Sequence, residues 1–151
     1  MAVTTNSQTM NGTSARFGAA SRPAWQVAGA ASLAGIAVAG VYEAIVRAAG
    51  VSLDMGTSKA EAEAIPVGGF VGFTAMFAAV GFLFALAVAR WANRPGRTYA
   101  VAAWAVAVVS LVLPFLPAYA AAETRVVLAL AHVAVAAVVV PPVARHLGRR
   151  R

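Results

Sequence analysis

Side chains able to do chemistry are few in this sequence. Glu43 and Arg47 stand one helical turn apart, in the order in which a carboxylate meets a cation at i+4, and such a pair stabilises a helix by about 0.2 to 0.5 kcal/mol in water. Both sit at the far end of the first apolar run, where a charge costs less than the roughly 2.5 to 3.5 kcal/mol assigned to a helix centre. His132 is set deeper, about 10 Å beyond Arg125 along a helix that starts near that residue. An imidazole there has two uses. It can hydrogen-bond a hydroxyl or carbonyl of a neighbouring helix, worth about 0.6 to 2 kcal/mol, or, because an imidazole can both take up and release a proton, act with Glu43 as a carrier of protons or a small solute. Glu43, Arg47 and His132 therefore form the candidate intramembrane polar site, with the ion pair read first as a brace at the membrane interface.

Other chemistries fail on spacing or composition. His132 and His146 are about 21 Å apart along a straight helix and cannot share a metal ion, and Met76 with His132 as a haem pair is a coincidence of common residue types. The absence of cysteine removes disulfides, thiolate metal sites and iron-sulfur clusters. No nucleophile stands at a fixed spacing from a base, no glycine loop is placed to hold phosphate, and no carboxylates pair for catalysis. The expectation is a protein without catalytic residues, metal or cofactor.

The elements that position these residues are read from hydropathy. The chain has 151 residues, 61% of them hydrophobic and 11% charged. That apolar excess suits a bilayer, which a run of about 20 apolar residues crosses with its backbone paired inside the helix. Four such runs predict an all-α integral membrane four-helix bundle, with spans over 24–46, 65–89, 98–118 and 123–144. Residues 1–23 read as a flexible cytoplasmic tail, 24–147 as the membrane domain and 148–151 as a basic cytoplasmic tail. Pro114 and Pro117 close the third run, while Pro141 and Pro142 interrupt the fourth. Residues 126–140 cover only about 22 Å, so the last helix must either begin earlier, with Pro117 in its first turn, or continue past the proline pair.

Orientation follows from the basic residues. Nine of the twelve Lys and Arg (Arg16, Arg22, Arg90, Arg94, Arg97, Arg145, Arg149, Arg150 and Arg151) fall on one side, and only Arg47, Lys59 and Arg125 on the other. The positive-inside rule then puts the N-terminus and C-terminus in the cytoplasm. Trp25, Trp91 and Tyr99 fall at the inner boundary, and Tyr42 and Tyr119 at the outer one. The net charge of +7 reads as orientation signal and attraction to anionic inner-leaflet lipids, to which Arg145, Arg149, Arg150 and Arg151 would hold the tail, and not as nucleic-acid binding. A competing reading takes Ala37-Val38-Ala39 as a signal-peptide cleavage site, against which the apolar run continues through Val46.

Small residues suggest how the helices meet. Gly29, Ser32, Ile36, Ala39 and Glu43 share about 80° of the first helix, and Gly68, Gly72, Ala75 and Ala79 share one side of the second. In lipid, close backbone approach over small residues holds helices together. Gly29, Ser32, Gly68 and Gly72 are thus predicted to face the bundle, while Phe70, Phe73, Phe77 and Phe84 face lipid. Either face would equally serve a homo-oligomer or a membrane partner subunit.

The order of several short motifs resembles an uncharacterised domain-of-unknown-function family of small four-span membrane proteins, found mainly in actinobacteria. They are Ala49-Gly50-Val51-Ser52-Leu53, Arg97-Thr98-Tyr99, Ser110-Leu111 followed by Pro114, and Leu128-Ala129-Leu130-Ala131-His132 leading to Val140-Pro141. The resemblance implies four spans in a bacterial plasma membrane and no known activity. The expected role is a non-enzymatic accessory or assembly module, with proton or small-solute carriage through Glu43 and His132 as the alternative. A cysteine placed in the 90–98 linker should stay unlabelled by an impermeant thiol reagent in intact cells; labelling there would reverse the orientation.

Overall fold

The structure is a computed structural model that describes residues 22–149. Its elements are α1 (Ala24–Ala48), β1 (Asp54–Gly56), β2 (Glu63–Ala64), α2 (Gly69–Trp91), α3 (Pro95–Ser110), β3 (Tyr119–Ala120) and α4 (Ala122–Gly148), with a 3-10 turn at Leu113–Phe115 between α3 and β3. All four helices are long and apolar enough to cross a membrane, α3 with its 3-10 extension included. Of the predicted tails, most of the first, with Arg16, and the end of the second, with Arg150 and Arg151, lie outside the described residues.

The helix limits differ from the apolar runs for local reasons. α2 starts four residues late because Ile65 donates its N–H to Leu53 O (3.0 Å), Pro66 has no N–H to give, and Gly68 turns the chain at φ +83°. α3 starts early because Pro95, whose fixed φ suits a first helical turn, occupies that position. α4 begins at Ala122, ahead of Val126, and also runs unbroken through Pro141 and Pro142, so the length is made up at both ends, with Pro117 outside the helix. The carbonyls of Ala137 and Val138 lose their helical donors there.

Three short strands, unforeseen from the sequence, pair antiparallel in the order β2-β1-β3, with Met55 opposite Glu63 on one side and Ala120 on the other. The sheet ties the α1–α2 connector to the α3–α4 connector at one end of the helices. α1 packs on both α2 and α4, α4 also packs on α3, and α2 meets α3 over less of its length. One apolar cluster (Ala39, Val46, Leu53 and Phe70) lies beneath the sheet. A second, around Ala31, Ala85, Tyr99, Val140 and Leu147, fills the end away from it. Tyr99, expected as an interfacial ring, is buried there and stacks on Phe84 with ring centroids 6.0 Å apart.

Side-chain directions correct the predicted faces. The buried stripe of α1 is Ala28, Ala31, Gly35, Ala39, Glu43 and Val46, which joins the expected stripe only from Ala39 onward. Gly29 and Ser32 are half-buried at its margin. A Cβ on Gly35 would stand 2.6 Å from Val139 of α4, and one on Gly40 3.2 Å from Val71 of α2. On α2 the expectation for Gly68 and Gly72 fails: Gly68 lies before the helix, and a Cβ on Gly72 would meet nothing within 4 Å. The face α2 turns inward carries Phe70, Ala85 and Val88, so Phe70 is core while Phe73 and Phe77 remain exposed.

The outer surface is apolar on every helix, with Leu33, Ile45, Phe77, Leu83, Val108 and Leu130 all exposed. An apolar surface of this extent suits hydrocarbon and not water, which marks a membrane protein. The tightest helix approach is at Gly96, where a Cβ would lie 2.6 Å from Gly148 N and 2.8 Å from Ala144 O. These are backbone atoms that cannot swing aside. Gly96→Ala should therefore loosen α3 from α4 by about 1 to 3 kcal/mol, whereas Gly72→Leu should leave the isolated chain as stable as before. Thermal melts in detergent compare the two, and a larger loss from Gly72→Leu would refute this packing.

Candidate functional site

The polar site is built where α1 ends and α2 begins. The first N–H groups of a helix have no partner inside it, and α2 has no capping side chain of its own, since its N-cap is Gly68. Glu43, one turn before the end of α1, supplies the acceptors. Its Oε1 accepts the Gly68 N–H at 2.9 Å and its Oε2 the Phe70 N–H at 3.1 Å, although the residue is only 4% exposed. Arg47 completes the set: Nε and Nη2 donate to the same Oε1 at 3.0 and 2.8 Å. Nη2 also donates to Ile65 O (2.7 Å) and Pro66 O (3.0 Å). One ion pair thereby fixes both the carbonyls ahead of the turn and the amides after it.

Neighbouring residues extend this anchor to α4. Tyr42, about 100° round α1 from Glu43, donates its hydroxyl to Val127 O at 3.0 Å and stacks on Phe70 with centroids 6.3 Å apart. Thr124, fully buried at the start of α4, donates to Ser52 O at 2.8 Å, and the Ser52 hydroxyl donates to Glu123 Oε1 at 3.0 Å. Tyr42, Ser52 and Thr124 were not recognisable as site residues in the sequence. Their partners are backbone carbonyls or residues more than seventy positions away, which no local spacing encodes.

His132 stands apart. Its Nδ1 donates to Leu128 O one turn earlier in α4, at 2.6 Å, which fixes the proton on that nitrogen because a carbonyl only accepts. The structure brings Glu43 and Arg47 together as the spacing predicts, but no hydrogen bond joins either of them to the half-buried His132. Among the described residues no three His, Asp or Glu converge as metal ligands would. The basic residues Arg90, Arg94, Arg97, Arg145 and Arg149 are all exposed at the opposite end of the helices.

A family model described as a family of unknown function, DUF6069, matches residues 19–149. No curated protein and no solved structure matches the chain.

Removing Arg47 would strand a buried carboxylate, and Arg47→Ala is expected to cost about 3 kcal/mol, the low end for a buried pair because the guanidinium is 28% exposed. Glu43→Ala should cost a similar amount by stripping the start of α2 of its acceptors. The double variant should be clearly more stable than the sum of the two losses, as expected for groups that share one network. Additive losses in detergent unfolding would show that the pair is not coupled.

Proposed function

The chain belongs to DUF6069, a family of unknown function, and we propose that it works as a non-enzymatic accessory or assembly module of a bacterial plasma membrane. In this reading both termini are cytoplasmic, and the packed helices form a small scaffold that docks on membrane partners or on further copies of itself. The observation that carries it is the state of Glu43. Its two oxygens are taken up by Arg47, Gly68 and Phe70 in holding α2 to α1. A carrier's carboxylate has to exchange its partners in every cycle, and here that exchange would undo the start of a helix.

The helix surfaces support the same reading. In α2 and α3, 11% of the most apolar stretch is buried inside the chain, against 28% in α1 and 22% in α4. α1 and α4 thus hold the fold together, and α2 and α3 offer most of their circumference to lipid or to another helix. The exposed arginines at the far end favour an anionic inner leaflet beside them.

Two measurements test the proposal together. Purified protein in vesicles loaded with a pH-sensitive dye should leak protons no faster than empty vesicles, with or without Glu43→Gln. After extraction in mild detergent, the particle should exceed the mass of a single chain and contain a second copy or a defined membrane component. A lone monomer with proton flux that disappears in Glu43→Gln would establish the carrier instead.

A further inference from the structure

The end of the molecule opposite the sheet holds a cavity, open to the surface, of about 340 Å³ and lined by Arg94, Gly96, Arg97 and Gly148. Its size lies within the roughly 300 to 1,000 Å³ of small-ligand sites. We propose that this cavity binds the phosphate group of an anionic membrane phospholipid. The inference rests on the membrane-spanning reading above, and is independent of whether the protein is a module or a carrier.

Three features of different origin meet there. The first is the close approach of α3 to α4 at Gly96, which brings the start of one helix against the last turn of the other and leaves the two arginines flanking the contact. The second is the start of α3 itself. Its first turn has no side-chain cap and no acidic residue, so its amides and the positive end of its dipole favour an anion. The carbonyl end of α4 beside it would oppose one, but that last turn is itself basic, with Arg145 and His146, followed by Arg149.

The third feature is charge without an internal counterion. All five acidic side chains (Glu43, Asp54, Glu61, Glu63 and Glu123) belong to the sheet end, in the last turns of α1, in the α1–α2 connector or in the first turn of α4. α2 alone separates the two ends by about 34 Å, several times the Debye length of about 8 Å in physiological salt. No acidic side chain of the chain can therefore neutralise Arg94 and Arg97, and an anion from outside is suited to do so. Depth selects its source: Trp91, 78% exposed at the end of α2, places the cavity at the level where aromatic rings meet lipid headgroups. An arginine pair suits a phosphate ester because the guanidinium offers a planar fork of donors to its oxygens.

The test uses the full chain with Trp25→Phe and Trp104→Phe, so that Trp91 is its only tryptophan, in vesicles of phosphatidylcholine with increasing brominated phosphatidylglycerol. Bromine quenches the ring when the lipid is held beside it. Trp91 should be quenched well above the level given by the same fraction of brominated phosphatidylcholine. Arg94→Gln with Arg97→Gln should weaken that preference about tenfold or more, since it removes both guanidinium forks from the phosphate. Arg22→Gln with Arg90→Gln removes the same charge outside the cavity and should weaken it no more than about threefold.

Equal losses from the two pairs, or no preference for the anionic lipid in the unsubstituted chain, would overturn the proposal. A second arm adds inorganic phosphate to the protein in neutral detergent. Saturable protection of the cavity by phosphate, with no preference for anionic lipid in vesicles, would assign the site to a free phosphate ester and overturn the lipid assignment. Failure of the chain to float with vesicles would refute the membrane-spanning reading, whereas flotation without selective quenching would refute the cavity alone.

Discussion

Inside a bilayer a helix cannot start with bare amides, because no water is present to satisfy them, and the four-helix arrangement depends on how α2 meets that constraint. The turn into α2 needs a left-handed residue, which glycine provides at Gly68, and glycine has no side chain with which to cap a helix. The acceptor therefore comes from α1. A carboxylate capping two amides of another helix fixes the distance, the rotation and the depth of both elements together. Arg47 makes a charge at that depth tolerable by neutralising it and by binding the two carbonyls that precede the turn. The pair thus combines a buried acceptor with a partly exposed donor.

From that joint the rest of the sheet end follows. With α2 held by Glu43, Tyr42, about 100° round α1, lays its ring on Phe70 of α2 and reaches α4 with its hydroxyl. The connector after α1 then runs close enough to α4 for Thr124 and Ser52 to bond across it, and to pair as β1 with both β2 and β3. At the opposite end Gly96 lets α3 lie directly on the last turn of α4.

This division separates structural from available chemistry. The carboxylates lie with the sheet, and Glu43 is spent on the fold. At the other end the arginines are exposed and surround a cavity, with no acidic side chain of the chain near enough to answer them. Between the two ends α2 and α3 present large apolar side chains outward. This arrangement is the basis on which we propose that the protein works through its surfaces, with lipid, lipid headgroups and neighbouring helices.

The four helices were legible in the sequence because hydropathy and length decide whether a segment can cross a bilayer, and neither depends on the neighbours. The Glu43–Arg47 pair was legible for a related reason: its geometry belongs to one helix turn. The lateral faces were not. Small residues pointed to Gly68 and Gly72, while the structure uses Gly35, Gly40 and Gly96, and Phe70 is core where Phe73 is exposed. In water the buried face of a helix announces itself by being apolar; in a membrane the inward and outward faces are both apolar, so the periodic signal is lost. The sequence by itself determined the number of long apolar helices, their approximate extent and one local ion pair. Only the tertiary structure decided which way each helix is turned, that Glu43 caps α2, and that two connectors form a sheet, because these depend on hydrogen bonds and close contacts between residues far apart in the chain.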